Sequence, residues 1–356
     1  MNNTGGKKEG RDFGVINGND LPTDTVQVIK FCPMADDIFA AGGWDEHYRL
    51  YKIGNGGVAQ VLSKALGSPI LDIAWSKTTL AYVGLGSGEI QVVSAEGNSQ
   101  VACQHPGVIC LLYAEIGGTE LLFSLGVNKQ LVIWRLVNGQ GQQVLAIGFD
   151  KIPNCMDIDL QANFLLIGVG SHCALYPLDR LQKGDPSVIS IPLILESQLS
   201  FIRIRDKAAN CSVPFNPRAR KIVACGTDGR VYVGELSLEN FKTTDLIVFK
   251  AHLVKDQSIF PVNGLGMSRL TDYSMYTVGS DGQIIFWDIV KKGKLSSYIT
   301  TEGFPITCAD ISVGQQYLAF ATGYDWSRGV WGLKEFTAQR PGIFIHNVLP
   351  ADQRTA

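Results

Sequence analysis

The sequence predicts an all-β, seven-bladed β-propeller, and three observations predict it. A strand pattern recurs with a period in the low forties, a turn residue holds the same place in each copy, and 356 residues suit a closed repeat better than one ordinary core. Each copy reads as an apolar alternating strand, a tight turn, a second apolar strand ending in small residues, a polar turn, and a third strand often rich in aromatics. The clearest copies are VQVIKF with IFAAGGWDEHYRLYKI (26–53), ILDIAW with LAYVGLGSGEIQVVSA (70–95), VICLLY with LLFSLGVNKQLVIWRL (108–136) and VNGLGM with MYTVGSDGQIIFWDI (262–289). Side chains in the third strand alternate between two faces, as around Ile284, Phe286 and Asp288.

The turn markers are Asp45, Gly88, Asn128, Ser171, Asp228, Asp281 and Asp325, with gaps of 43, 40, 43, 57, 53 and 44. Such spacing is that of WD repeats, and seven markers give seven blades. Gly, Asp and Asn are expected at these reversals because they accept the positive φ of primed hairpin turns. The two long gaps are read as inserted loops, Asp179–Arg205 and Leu238–Ile259, richer in charge and proline than their surroundings and placed where binding functions often sit.

One blade cannot bury both of its faces, so neighbours stack, and closure borrows a strand from the other terminus. The candidates are Asp12–Ile16 and Gly342–Val348, and the first is the expected outer strand of the last blade. The expected layout is a disordered tail at 1–11, the propeller at 12–349 and a disordered tail at 350–356.

Composition narrows the function classes. Hydrophobic residues are 46%, charged residues 18%, and the net charge is −2, so there is no global basic field for nucleic acid or an anionic membrane. Met1–Gly10 is polar, and no apolar run approaches the roughly 20 residues of a membrane span, which gives a cytosolic or nuclear expectation. The eight cysteines lie scattered, without a CxxC pair or a zinc-type Cys/His set, as expected of buried free thiols in a reducing compartment.

Gly84-x-Gly86-x-Gly88 lies between two strands and reads as a hairpin turn, not a phosphate cradle. Of the histidines at 47, 105, 172, 252 and 346, His105 and His252 precede a blade, where a structural histidine bonding into the sheet is expected. Cys110, in VICLLY, is expected to point into a blade core rather than to join Cys103 and His105. Nucleophile elbow, HExxH and kinase signatures are missing, so the expectation is a non-enzymatic protein without metal or cofactor. Trp44, Trp134 and Trp287 are expected to pack between blades. Trp287 is followed by Lys291, Lys292 and Lys294, which form either a solvated loop or a site for a phosphate strand or an acidic peptide.

The segments NDLPTDTVQVIKFCP (19–33), AAGGWDEHYRLYKI (40–53), SPILDIAWS (68–76), CGTDGRVYVGEL (225–236), FPVNGLGM (260–267), VGSDGQIIFWD (278–288) and ATGYDWSRG (321–329) together resemble the WD-repeat mRNA export factors of the Rae/Gle type. The sister family of Bub-type spindle-checkpoint propellers is similar in the same places. YDWSRG and NDLPTDT favour the export factor, whereas FPVN and GIFIHNV lean towards the checkpoint protein.

Either resemblance implies a nuclear docking protein that clamps a GLEBS segment of a partner through that segment's glutamates. The partner would be a GLFG nucleoporin at the nuclear pore, with a cytoplasmic pool of the propeller, or a Bub-type kinase. It implies a propeller monomeric without its partner, and neither a membrane contact nor a small-molecule substrate. It implies that Arg230 pairs with a partner glutamate, a contact whose loss from a desolvated site costs on the order of 2 to 5 kcal/mol.

The family's Phe-Lys-Cys-His-Arg step reads here Phe249, Lys250, Ala251, His252, Leu253, so its arginine is missing. Lys250 or Lys255 stands as a replacement, though a point charge does not reproduce a bidentate fork. The resemblance also implies a site on the side of the propeller for single-stranded RNA or another acidic ligand, formed by Phe249, Trp287, Lys292 and Lys294.

Overall fold

The computed structural model describes the chain apart from residues 1–7, 10–12, 16–20, 55–56, 162, 193–198, 206–218, 254–258, 269–273, 301–302, 337–339 and 354–356. Its described strands form seven sheets, antiparallel apart from one short terminal strand, the expected seven-bladed propeller. Blade one, for example, runs Val26–Phe31, Ile38–Gly43, His47–Gly54 and Gly57–Ala65 from the inside outward. The innermost strand of every blade touches those of its two neighbours, and the contact between Ile306–Ile311 and Val26–Phe31 closes the ring.

One device recurs in all seven innermost strands: the register slips just after the first paired residue, at Val26, Ile70, Val108, Pro153, Leu199, Val262 and Ile306. A bulge there sharpens the local right-handed twist, as a fan of blades around one axis requires.

The apolar core is divided into seven clusters, one at each junction between blades. Polar bonds cross the same junctions. The Leu111 amide donates to the buried Asp72 at 2.7 Å, and the Phe31 amide donates to Asp310 at 2.8 Å. Arg220 donates to Asp159 at 2.6 Å, with both side chains buried.

The turns hold a refinement. At Asp45, Asp228 and Asp281 the carboxylate accepts the amide two residues on, from His47, Arg230 and Gln283. These residues therefore act as side-chain turn acceptors, and the positive φ falls on the next residue, Glu46, Gly229 or Gly282. The seventh marker keeps this bond, with the Ser327 amide donating to Asp325 Oδ1 at 3.1 Å, but not the tight turn. Asp325 opens a wide connection between Tyr317–Thr322 and Gly342–Asn347 that carries the helix Gly329–Phe336.

The two long gaps are not plain loops. Asp179–Arg205 contains a short helix (Leu178–Gln182), the outer strand of blade four (Ile189–Pro192) and the inner strand of blade five (Leu199–Arg205). Leu238–Ile259 contains the outer strand Thr243–Lys250. Outer strands are half wet and mix polar with apolar residues, so their composition resembles that of loops.

Phe13–Val15 pairs with Gly342–Asn347 as the outer strand of blade seven, so the front segment supplies the closing strand as expected. Lys8–Glu9, placed in the disordered tail on sequence grounds, adds in parallel to the outer strand of blade six. Pro350–Asp352, also assigned to a tail, forms a 3-10 turn whose Asp352 is fully buried. Its carboxylate accepts bonds from Ser296 Oγ, Tyr298 OH, His346 Nε2 and the Leu349 amide, which is why the chain stays ordered there.

Candidate functional site at the junction of blades five and six

Blade six supplies the floor. His252 Nδ1 lies 2.8 Å from Asp281 Oδ1, its Nε2 lies 3.0 Å from Thr277 Oγ1, and Trp287 Nε1 donates to the same hydroxyl at 2.9 Å. Burial pushes the Asp281 carboxyl up, but bonds from His252 and Gln283 and the His252 charge outweigh it, leaving the group below its ordinary value. Blade three repeats the arrangement with His105, Ser124, Asn128 and Trp134. Both histidines thus have the structural place expected for them.

Trp134 and Trp287 pack between blades, each 7% exposed. Trp44 does not: it is 50% exposed, because it sits in the turn after Ile38–Gly43, where its Nε1 donates to Gln27 Oε1 at 3.4 Å. Seven of the cysteines lie among the described residues and none of them is in a disulfide; six are buried, and Cys110 is half-buried against the cluster between blades three and four. Cys211 lies outside the described residues.

Blade five supplies the wall. In Thr243–Lys250 the half-buried Ile247 and Phe249 pack against the cluster shared with blade six. The ring of Phe249 meets that of Trp287 at 4.6 Å between centroids, tilted by 54°. Lys294, the cross-strand partner of Trp287, holds its ammonium 5.4 Å from the indole centroid, within cation–π range.

A cavity of about 290 Å³ opens here, with an apolar interior from Ile247, Phe249, Trp287 and Ile289, and with Lys250, Lys292 and Lys294 among its lining. The four residues expected for an acidic ligand, Phe249, Trp287, Lys292 and Lys294, therefore meet in one pocket. Leu253, at the position where the related pattern has arginine, also lines it and is partly exposed.

Arg230 lies beside this pocket and not in it. It is the cross-strand partner of Lys250, one register step from Val231 and Phe249, so the two cations share the face opposite to Phe249. Its Nη1 donates to Asp228 Oδ2 at 2.8 Å and its side chain is 39% exposed. That bond holds the guanidinium in place while its other N–H groups can donate to a second carboxylate. Lys255 lies outside the described residues.

Among the described residues, no group of three or more His, Cys, Asp and Glu side chains is placed to hold a metal ion. No described helix is long and apolar enough to cross a membrane.

The sequence reading missed two surface tryptophans. Trp326 is 58% exposed and Trp331, in the blade-seven helix, 86%. The available signal was the loss of strand alternation after Asp325, in WSRGVWGLKEF.

No protein-family model matches the chain. It is similar to the mRNA export factor rae-1 of Caenorhabditis elegans, 27% identical over 321 residues that cover 86% of this chain and 82% of the relative. It is also similar to the Poly(A)+ RNA export protein of Schizosaccharomyces pombe, 24% identical over 348 residues, covering 93% and 90%. Among solved structures, U3-55K superposes with a TM-score of 0.71 at 14% identity, over 96% of this chain and 99% of that one, a likeness of fold alone. The chain is a seven-bladed WD-repeat propeller related to the mRNA export factors of the Rae/Gle type.

Proposed function

We propose that this propeller is a non-enzymatic docking platform that holds an acidic, GLEBS-type segment of a GLFG nucleoporin and supports mRNA export at the nuclear pore. The observation that carries the reading is the pairing of Arg230 with Lys250 at the edge of an aromatic pocket that Lys292 and Lys294 also line. A glutamate-bearing segment meets a guanidinium already fixed by Asp228, so little conformational entropy is lost when the second carboxylate binds. The similarity to mRNA export factor rae-1 and to the Poly(A)+ RNA export protein supports the biological assignment.

The pocket itself suits a short stretch of single-stranded RNA or an acidic side chain. A base can reach the half-buried Phe249 ring, lysines meet phosphates, and the modest charge makes the contact weak and salt-sensitive. Localisation at the nuclear envelope follows from this reading.

The test is a pull-down from nuclear lysate with wild-type chain and with Arg230→Glu, with partners identified by mass spectrometry. The expected result is a GLFG nucleoporin recovered by wild type and lost with the variant, whose new carboxylate stands beside Asp228. A Bub-type kinase lost in the same way would replace the export role with a checkpoint role. Partners indifferent to Arg230 would remove the site.

A further inference from the structure

Strands alternate in direction within each blade, so the end of the ring opposite to the Arg230 turn carries the links from first to second strand and from third to fourth. In blades one, two, three, five and six the third-to-fourth link is short. In blade four it is longer and folds into the helix Leu178–Gln182, whose Leu178 and Leu181 are buried against the cluster shared with blade three. The helix does not fill the junction. Between it and the Ile116–Thr119 turn of blade three lies a cavity of about 280 Å³, with Leu121, Phe123 and Ile133 in its lining.

The strands of blade three explain the open wall. Along Gln130–Val137, Leu131, Ile133 and Arg135 alternate onto the face turned to blade four. Opposite Ile133 and Trp134 the register of the outer strand slips and skips Val144, which lines the cavity and is 46% exposed.

Three polar side chains share the cavity: Thr119, Arg135 and Gln182. Among the described residues, none of the three has a side-chain hydrogen bond or ion pair. The acids of the same hairpin are engaged elsewhere, Glu115 by Lys77 and Glu120 by the Tyr113 hydroxyl. In the blade-four link, Asp179 accepts from Asn163 Nδ2 and Asp185 from the Ser187 amide. Arg135 is exposed and keeps its donors for an anion from outside.

The size of the cavity and the shape of its lip decide the occupant. An apolar cavity of roughly 150 Å³ takes a benzene ring, so about 280 Å³ suits one bulky side chain and falls short of a drug-sized molecule. Gly117 and Gly184 line the opening at positive φ, and a Cβ at either would meet nothing within 4 Å. Their turns call for glycine, and the result is a bare lip on which a partner's main chain can lie close.

We propose that this cavity docks a second partner, a peptide segment that inserts one aromatic or branched side chain beneath the blade-four helix and pairs an adjacent glutamate or aspartate with Arg135. Charge complementarity at Arg135 selects the acid, and the apolar lining selects its neighbour. Because the site faces away from Arg230, one propeller holds two partners at once.

Ligand-observed NMR on the full chain tests this with the probe acetyl-Phe-Glu-amide, beside acetyl-Phe-Lys-amide and acetyl-Ala-Glu-amide. The first is expected to bind at least about tenfold more tightly than either of the others. Arg135→Glu should reverse the preference between the Phe-Glu and Phe-Lys probes, which a folding defect would not do. Its thermal midpoint should match wild type, because the side chain is exposed. Val144→Trp, which fills the cavity and leaves Arg135 in place, should abolish binding.

Equal binding of the Phe-Glu and Phe-Lys probes to wild type overturns the proposal, as does full binding by Val144→Trp. Binding that Lys292→Glu abolishes and Arg135→Glu spares assigns the probe to the pocket of blades five and six, and overturns it too. A wild-type chain that binds none of the probes at millimolar concentration has no such site.

Discussion

Blades six and seven are neighbours built on one repeat, and they are locked in different ways. Blade six closes on itself: His252 joins Asp281 and Thr277, and Trp287 joins Thr277, all inside one sheet and the loop before it. In blade seven the equivalent turn acid, Asp325, looks across to Asn263 and Ser280 of blade six. Its own histidine, His346, is held by Asp352 from the C-terminal turn. The difference teaches how a repeat makes room for function. Once its turn is released from the internal lock and a terminal residue takes over, blade seven can widen that turn into a helix and still remain closed.

The comparison is broken most severely at Trp287. Replacing it with alanine removes a buried indole that serves both the lock and the pocket floor, and should cost about 3 to 5 kcal/mol in a denaturant titration. If blade six lost less than 1 kcal/mol, its lock would be ornamental.

Next comes the terminal latch. Removing residues 350–356 leaves His346, Ser296 and Tyr298 without their shared carboxylate, an expected loss of about 1 to 3 kcal/mol from unpaired buried groups. Hydrogen exchange should rise in Gly293–Ile299 and Gly342–Asn347 while blade three stays protected. Uniform loosening would contradict a local latch.

Acid separates the two locks more gently. For Asp352, as for Asp281, burial raises the carboxyl, but its bonds from His346, Ser296, Leu349 and Tyr298 prevail and hold it below its usual value. A carboxyl lowered on folding contributes stability that is complete above the unfolded value, near 3.8, and is lost as pH falls through the folded value. Asp352→Asn should therefore flatten the acid limb without removing it, since Asp281 remains. His105 adds an earlier slope. Burial lowers it, only partly countered by Asn128, so its contribution is complete above 6.5 and declines as pH falls below that value. Thermal midpoints measured from pH 7 to 3 with wild type, Asp352→Asn and His105→Gln would resolve the two limbs.

The smallest expected effect on the fold is at Lys294. Lys294→Ala should change stability by no more than about 0.5 kcal/mol, since the lysine is exposed. It should nonetheless weaken binding of single-stranded RNA and lower the salt slope by about one unit. Unchanged RNA binding would confine the pocket to a structural role.

Much of this was legible in the sequence. The markers from Asp45 to Asp281 fall at real strand reversals, and His105 and His252 were readable because each precedes a blade at the repeat's own spacing. Phe249, Trp287, Lys292 and Lys294 were named together through a resemblance, not through their spacing, which separates them by up to 45 positions. Outer strands such as Thr243–Lys250 hid among loops because half-exposed edges need no apolar alternation. Trp44 reads like Trp287 in sequence, yet one lies in a turn and the other in a strand facing the next blade.

By itself the sequence determined the repeat, the number of blades and the histidines that lock blades three and six. These depend on neighbours a few positions away and on alternation within a strand, which the order of residues records directly. Only the tertiary structure decided that Lys294 stands over Trp287, that Arg230 and Lys250 share one face, and that Asp352 returns to bind blade six. Those pairings depend on register, bulges and ring closure, and a shift of one residue would turn each side chain to the opposite face.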